Sequence, residues 1–495
     1  MPWAHPGCLY RDAMADTDTW DVIVVGAGPP GENAAEFAIH GSDRTAVLVE
    51  SELVGGECSF WACMPSKGLL RPLEVIDAAN HLPGVVGAHV DVEAVLARRD
   101  TIVNHHDDGS QVKWATDHGI DVVRGRGRLA GVRQVDVVTP SGTRRLQARH
   151  AVVLATGTTA FVPPVPGLRE ALPWISRDVT NLHEIPRRVV IVGGGVVACE
   201  SATWLAGLGA SEVTLVERAG TLLGRTEPFA ARMVAETFER AGVRVLLGES
   251  VTSVRRDSAA ATGEGRIHGG PAEVTVGKEV LTADEIVVAA GRVPNSADLG
   301  FDSIGATFER FVEVDDHLGV RGVPGDWLYA IGDLAGRALL THMGKYQARI
   351  AGAVIAARAE GRPLAGSEYL ATADHGQVPQ VTFTDPQVAS VGFTESDARA
   401  AGIAVATVEY DLGALAGTYV QRSDYEGRAK LVIDQVTDVI VGATFVGPEV
   451  AELVHAATVA VVGRVPLATL WHAVPSYPTA SEIWLRLLET YRGYS

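Results

Sequence analysis

Two cysteines, Cys58 and Cys63, stand five positions apart in the stretch GGECSFWACMPSK, residues 55–67. A thiolate is a nucleophile, a metal ligand and one half of a disulfide, so a close pair can serve redox chemistry, metal binding or simple packing. Zinc clusters usually place two residues between paired cysteines and need a second Cys or His pair at ligand spacing, which this chain lacks. Two structural thiols in a core would also satisfy the pattern. The other cysteines are Cys8 and Cys199. Four in 495 residues are too few for a secreted disulfide scaffold. Cys199 lies in an apolar helical stretch and reads as core. The run HHDD at 105–108 invites a metal reading, but its polar helical surroundings predict a solvated face.

The elements that must position the thiols show in the glycine spacing. In DVIVVGAGPPGENAAEFAIHG an apolar run, 22–25, leads into Gly26, Gly28 and Gly31 and then a helical pattern. The glycines permit a tight turn and let a pyrophosphate approach the backbone N–H groups at a helix start. The next apolar run, TAVLVE, ends in Glu50, about 20 residues on, where a carboxylate holds a ribose hydroxyl. A second copy follows in RRVVIVGGGVVACESATWLAGLGASEVTLVER. Gly193, Gly195 and Ala198 take the glycine positions, and Glu217 closes the second strand. Two such folds predict two dinucleotides with electron transfer between them. Glu217 repels a 2'-phosphate and favours NAD(H) over NADP(H), while Arg218 and Arg225 nearby offer that phosphate a partner.

Composition sets the frame. Hydrophobic residues make up 47% and charged residues 21%, as in an ordinary globular protein of two to four domains. A formal charge of −18 opposes binding to nucleic acid or acidic membranes. The first twenty residues lack a basic start followed by an apolar run, and apolar runs such as 459–462 are too short to span a bilayer. A cytoplasmic protein is expected.

With these motifs, and with AVVLATGT (151–158), AAGRVPN (289–295), YAIGD (329–333) and PQVTFTDPQVASVGFTE (379–395), the chain resembles the flavoprotein pyridine nucleotide-disulfide oxidoreductases from about Asp21 onward. That family includes dihydrolipoamide dehydrogenase, glutathione reductase and mercuric reductase. The resemblance implies an α/β fold with two Rossmann-like dinucleotide-binding domains and a C-terminal α+β dimerisation domain. An extension over 1–19 would precede an FAD domain of 20–170 plus 290–365. An NAD(P) domain would occupy 171–289 and an interface domain 370–495, in a homodimer that shares its active sites. Beyond the glycines already named, it implies cofactor contacts at Gly56, Thr156, Gly157, Gly291, Asp333 and Thr341, the last at a helix start aimed at the flavin.

The resemblance also implies a redox-active disulfide between Cys58 and Cys63, both at the start of one helix just after the first nucleotide unit. Hydride would pass from NAD(P)H to FAD, and the electron pair would then open the disulfide. Cys63 would face the flavin as thiolate and Cys58 would attack a small disulfide, ionising from the usual thiol value of about 8.5. Lys67 would supply charge near the flavin with Glu200 as its partner.

Two departures limit the transfer. Disulfide reductases of the family end in His-Pro-Thr-x-Ser-Glu, whose histidine moves protons for the thiols. Here the stretch is YPTASE, so Tyr477 stands where the histidine would be, with Glu482 retained and His472 five residues earlier. A phenol ionises far above neutrality, so it donates a hydrogen bond better than it accepts a proton. Glu57 stands where the family has threonine beside the flavin pyrophosphate, and it is expected to be either turned away or hydrogen-bonded. Three functions follow: reduction of a small disulfide, flavin-based reduction of a quinone or metal ion, or a dihydrolipoamide dehydrogenase-type subunit docked in a larger complex.

Overall fold

The computed structural model describes residues 18–494; Cys8 and most of the expected extension lie outside them. β1 (Thr19–Val25) starts one residue inside the expected extension. Its apolar run is buried on both faces, as a central parallel strand requires. It pairs in parallel with β2 (Ala46–Glu50) and with the strand Gly142–Leu154. Strand Ile120–Arg124 extends one edge in parallel. Strands Gln134–Thr139 and Arg126–Gly131 extend the other as antiparallel neighbours. Between β1 and β2 lies α1 (Pro29–Ile39), which crosses the helix Thr341–Ala359 closely. A Cβ on Gly344 would stand 2.5 Å from Pro30 Cγ, so glycine sets that approach.

The chain leaves this sheet after Leu154 and comes back to it at Leu328–Ala330, which pairs in parallel with Gly142–Leu154. The outgoing strand Thr158–Ala160 and the returning strand Arg292–Pro294 pair with each other. The excursion between them holds a parallel sheet ordered Arg244–Leu247, Glu212–Glu217, Arg188–Val192, Glu285–Val288. A three-stranded antiparallel sheet, Val251–Arg255, Ala272–Val276 and Glu279–Ala283, sits beside it. Five antiparallel strands between 379 and 447 form the C-terminal sheet, on which helices Val454–Val462 and Ile483–Tyr491 pack. Buried Lys430 joins this unit to the excursion through Glu227 at 3.0 Å and also pairs with Glu395 of its own unit at 2.7 Å. The α/β class expected from sequence holds. No described helix is long and apolar enough to cross a membrane.

Two local expectations need correction. The HHDD run is not helical. Residues 104–106 all have positive φ, His106 packs tilted against Trp61 with ring centroids 5.4 Å apart, and Asp108 accepts from Val54 N and Arg124. His105 and Asp107 are exposed, as expected of a solvated run, but the segment is a turn anchored through His106 and Asp108 rather than a helix face. The cysteines do not share one helix start either: Cys58 lies in α2 (Gly56–Phe60) and Cys63 opens α3 (Cys63–Asn80). Trp61 and Ala62 break the helix between them, with ψ of 1° and −93°.

Candidate active site

At the first glycine turn, Gly26 has φ +99°, and a Cβ there would lie 2.4 Å from Ala155 O. Gly31 is closed in the same way by Gly26 O at 1.9 Å. Around Gly28 the space is open, its nearest neighbours being Pro30 Cδ at 3.9 Å and Gly56 Cα at 4.0 Å. The result is a concavity at the N-terminus of α1, floored by Gly28 and Gly56. Glu50 Oε2 accepts from Ala27 N at 2.8 Å, which brings its carboxylate to the rim. This set fits FAD, with donors for a pyrophosphate and an acid for the ribose. Burial pushes Glu32, in the first turn of α1, up to about 7, with Lys345 opposing the shift. Near neutrality a large share of Glu32 is then protonated, at the helix start where a pyrophosphate would sit.

Thr156 and Gly157 are tied to the returning strand: Asn295 Nδ2 donates to Thr156 O at 2.8 Å, and Asn295 N to Gly157 O at 3.0 Å. Gly291 accepts from Phe161 N at 2.9 Å. Asp333 Oδ2 accepts from Thr158 Oγ1 at 2.8 Å, and burial raises its pKa.

The second turn repeats the first. A Cβ on Gly193 would stand 2.4 Å from Ala289 O, whereas one on Gly195 would meet nothing within 4 Å. The side chain of Glu217 crosses over Gly194, and its Oε1 accepts from Ala219 N at 2.7 Å. Arg218 and Arg225 are exposed and form no ion pair within 4.0 Å among the described residues.

Cys58 and Cys63 are half-buried free thiols. Cys63 Sγ lies 3.4 Å from Thr341 Oγ1 at the start of its helix. The Cys58 thiol beside it holds the Cys63 pKa well below the usual thiol range; burial opposes this, and Thr341 and Lys67 assist. Cys58 is driven the other way, by its bond to Cys63 and by burial. The expected ionisation of Cys58 near the ordinary thiol value is therefore corrected: the neighbouring thiolate keeps it protonated. Lys67 Nζ reaches Glu200 Oε2 at 2.8 Å and Oε1 at 3.1 Å, and it stands 4.6 Å over the Phe383 ring. Glu200 is buried and also accepts from Phe383 N at 2.9 Å. The pairing of Lys67 with Glu200 is present as expected.

Glu57 proves to be hydrogen-bonded. Arg177 Nε donates to its Oε1 at 2.9 Å, and Arg292 Nη2 holds its Oε2. Arg292 Nε also donates to Thr158 Oγ1 at 2.6 Å, continuing the chain to Asp333. Sequence reading missed Arg177, Thr158 and Arg292. Thr158 closes the AVVLATGT motif and Arg292 lies inside AAGRVPN, whereas Arg177 lies in neither.

At the C-terminus the protomer does not bring Tyr477 to the thiols or to Glu482. Tyr477 is 75% exposed, and no hydrogen bond of its hydroxyl is present among the described residues. Glu482 is buried with Oε2 unpartnered, and its Oε1 lies 3.9 Å from Arg486. His472 is exposed, and His342 Nε2 bonds Pro379 O at 2.8 Å.

Comparison with known proteins agrees with this geometry. Residues 20–361 match the model of the pyridine nucleotide-disulphide oxidoreductases, and residues 378–487 match that family's dimerisation domain. The dihydrolipoyl dehydrogenase of Chlamydia trachomatis is 32% identical over 478 residues, covering 94% of this chain and 96% of that protein. The one from Chlamydia muridarum is 31% identical over 476 residues, with the same coverage. Among solved structures, the HOCl-induced flavoprotein disulfide reductase RclA from Escherichia coli superposes with a TM-score of 0.78 at 25% identity, covering 95% of this chain and 99% of that one. With the glycine turns, the paired thiols and the matched dimerisation domain in place, the chain belongs to the pyridine nucleotide-disulphide oxidoreductase family, whose members are FAD- and pyridine nucleotide-dependent enzymes.

Proposed function

We propose that the protein passes the electron pair of NADH, through FAD, to a Cys58–Cys63 disulfide and on to a small disulfide substrate. The observation that carries this reading is the asymmetry of the two thiols, Cys63 favoured as thiolate beside Thr341 and Lys67, Cys58 kept as thiol. Bound FAD would supply the two-electron step between nicotinamide and sulfur. The chain's own work is to hold the pieces. Glu50 and the Gly26–Gly28–Gly31 turn would bind the flavin nucleotide, and Glu217 with Gly193 and Gly195 would bind NADH. Glu200 would orient Lys67, whose charge lowers the cost of negative charge at Cys63 and on its neighbour. In the two-electron-reduced enzyme, Cys58 attacks one sulfur of the substrate disulfide and forms a mixed disulfide, and the first substrate thiolate departs with the Cys58 proton as a free thiol. Cys63 then displaces the second substrate thiol and closes the internal disulfide.

Glu217 supports NADH as donor, and the dihydrolipoyl dehydrogenase relatives point the same way. Glu217→Ala is expected to speed NADPH oxidation severalfold by removing like-charge repulsion. Steady-state rates with both nucleotides check it, and a wild type already faster with NADPH would reverse the assignment in favour of Arg218 and Arg225.

One observation favours a second reading, flavin-based reduction of a quinone or metal ion: no imidazole stands at position 477 to take the Cys58 proton. Tyr477→His is expected to raise disulfide turnover near pH 7 about 10-fold, out of the roughly 10²–10⁴ a positioned base gives, because an imidazole, unlike a phenol, takes up a proton at that pH. Quinone reduction should not change. Should Tyr477→Phe be silent with every acceptor while His472→Ala stops disulfide turnover, the proton belongs to His472. An acceptor screen of disulfides, quinones and metal ions with purified holoenzyme tests the two readings against each other: turnover lost with Cys58→Ser supports the first, and turnover independent of both thiols supports the second.

A further inference from the structure

The helix break between the two thiols is gripped from outside. Trp61 and Ala62 are the only residues between α2 and α3, so their backbone sets how Cys58 and Cys63 face each other. Trp61 is buried, and three groups from distant sequence hold it. Thr180 Oγ1 donates to its carbonyl at 2.8 Å, Arg177 lies 4.3 Å over its ring, and its indole Nε1 donates to Glu264 Oε1 at 3.0 Å. Glu264 belongs to a long connection, residues 256–271, between two antiparallel strands that a two-residue turn could join.

That connection is a folded strap. It docks on residues 174–184 through Gly265 N to Asp178 at 3.2 Å, His183 N to Gly265 O at 2.9 Å, and Trp174 Nε1 to Arg266 O at 2.8 Å. A Cβ on Gly265 (φ +69°) would lie 2.1 Å from Asn181 O, so glycine permits the contact. Asn181 Nδ2 donates to the same Glu264 Oε1 at 2.8 Å, which fixes the carboxylate that Trp61 meets.

We propose that Glu264, through Trp61, is a positioning residue that sets the dithiol–disulfide equilibrium of Cys58 and Cys63. A clamped break keeps the two sulfurs adjacent, which raises the effective concentration of one thiol toward the other and favours the disulfide. Loosening it favours the dithiol. The proposal rests on the redox role given to the pair above.

The test equilibrates FAD-loaded protein in glutathione buffers of set poise, quenches with acid, alkylates, and counts free thiols at Cys58 and Cys63 by mass spectrometry. Glu264→Ala is expected to shift the equilibrium about 10-fold toward the dithiol, or ~30 mV upward in potential. Glu264→Gln keeps an acceptor oxygen and should stay within about twofold of wild type. Trp61→Phe keeps the ring without the donor; it should match Glu264→Ala, and the double variant should go no further than either. Folded Ala and Phe variants that leave the equilibrium unmoved, or whose effects add, overturn the positioning role. A wild type with no titratable pair overturns the redox reading itself.

Discussion

Cys58→Ser is expected to abolish disulfide turnover, by roughly 10⁴-fold or more, the scale on which loss of a covalent nucleophile acts. It should nevertheless retain a long-wavelength absorption band when FAD is bound, because Cys63 is left as a free thiolate 3.4 Å from Thr341, at the helix start proposed to face the flavin. Cys63→Ser also stops turnover, since the mixed disulfide cannot be resolved, but it should show no such band. Identical spectra from the two variants would refute the division of labour. The pH dependence follows from the direction of the shift. The folded Cys63 pKa lies below its unfolded value, so thiolate stabilisation of the reduced enzyme is fully present above the ordinary thiol range. It fades as pH falls through the depressed value, and the band of the reduced wild type should fade with it.

The other large effect lies at the root of the strap. Arg256 and Glu285 are an ion pair with no side-chain exposure, joined at 2.8 Å. Arg256 also donates to the carbonyls of Ala171, His268 and Asp284, while Glu285 accepts from His268 N and Ile286 N. Arg256→Ala strands a buried carboxylate, and a loss of about 3–5 kcal/mol is expected. Replacing both partners with apolar residues often costs nothing in a buried pair, but here two backbone N–H groups would lose their acceptor. Each orphaned donor costs about 1–3 kcal/mol, so the double variant should stay destabilised. Native-state hydrogen exchange over residues 251–288 reads the loss, and unchanged protection in Arg256→Ala would contradict it.

What the sequence made legible is what local spacing encodes. The glycine turns, Glu50 and Glu217 at their strand ends, and the thiol pair each sit within about 30 residues of the element that uses them, and all were found. The pairing of Lys67 with Glu200 required the family resemblance, because 133 positions separate the two. Other long-range partners stayed hidden, even Arg292 inside its AAGRVPN motif. Glu57 is held by Arg177 and Arg292, 120 and 235 positions away, and Trp61 meets Glu264 at a separation of 203. The HHDD run is exposed at His105 and Asp107 as expected, but polarity alone does not distinguish a helix from a turn with three positive-φ residues, one of them packed against Trp61. Tyr477 and Glu482 were both legible in YPTASE, but their separation in the protomer was not. Glu482 keeps an unpartnered buried oxygen in the protomer, a polar vacancy that only geometry shows.

The most direct measurement is an anaerobic titration of the FAD-loaded enzyme with NADH, quenched at one equivalent and alkylated with a mass-tagged reagent. The account expects two newly labelled positions, Cys58 and Cys63, after one equivalent, with the flavin still largely oxidised. Bleaching of the flavin by that first equivalent, with neither cysteine newly labelled, would contradict it.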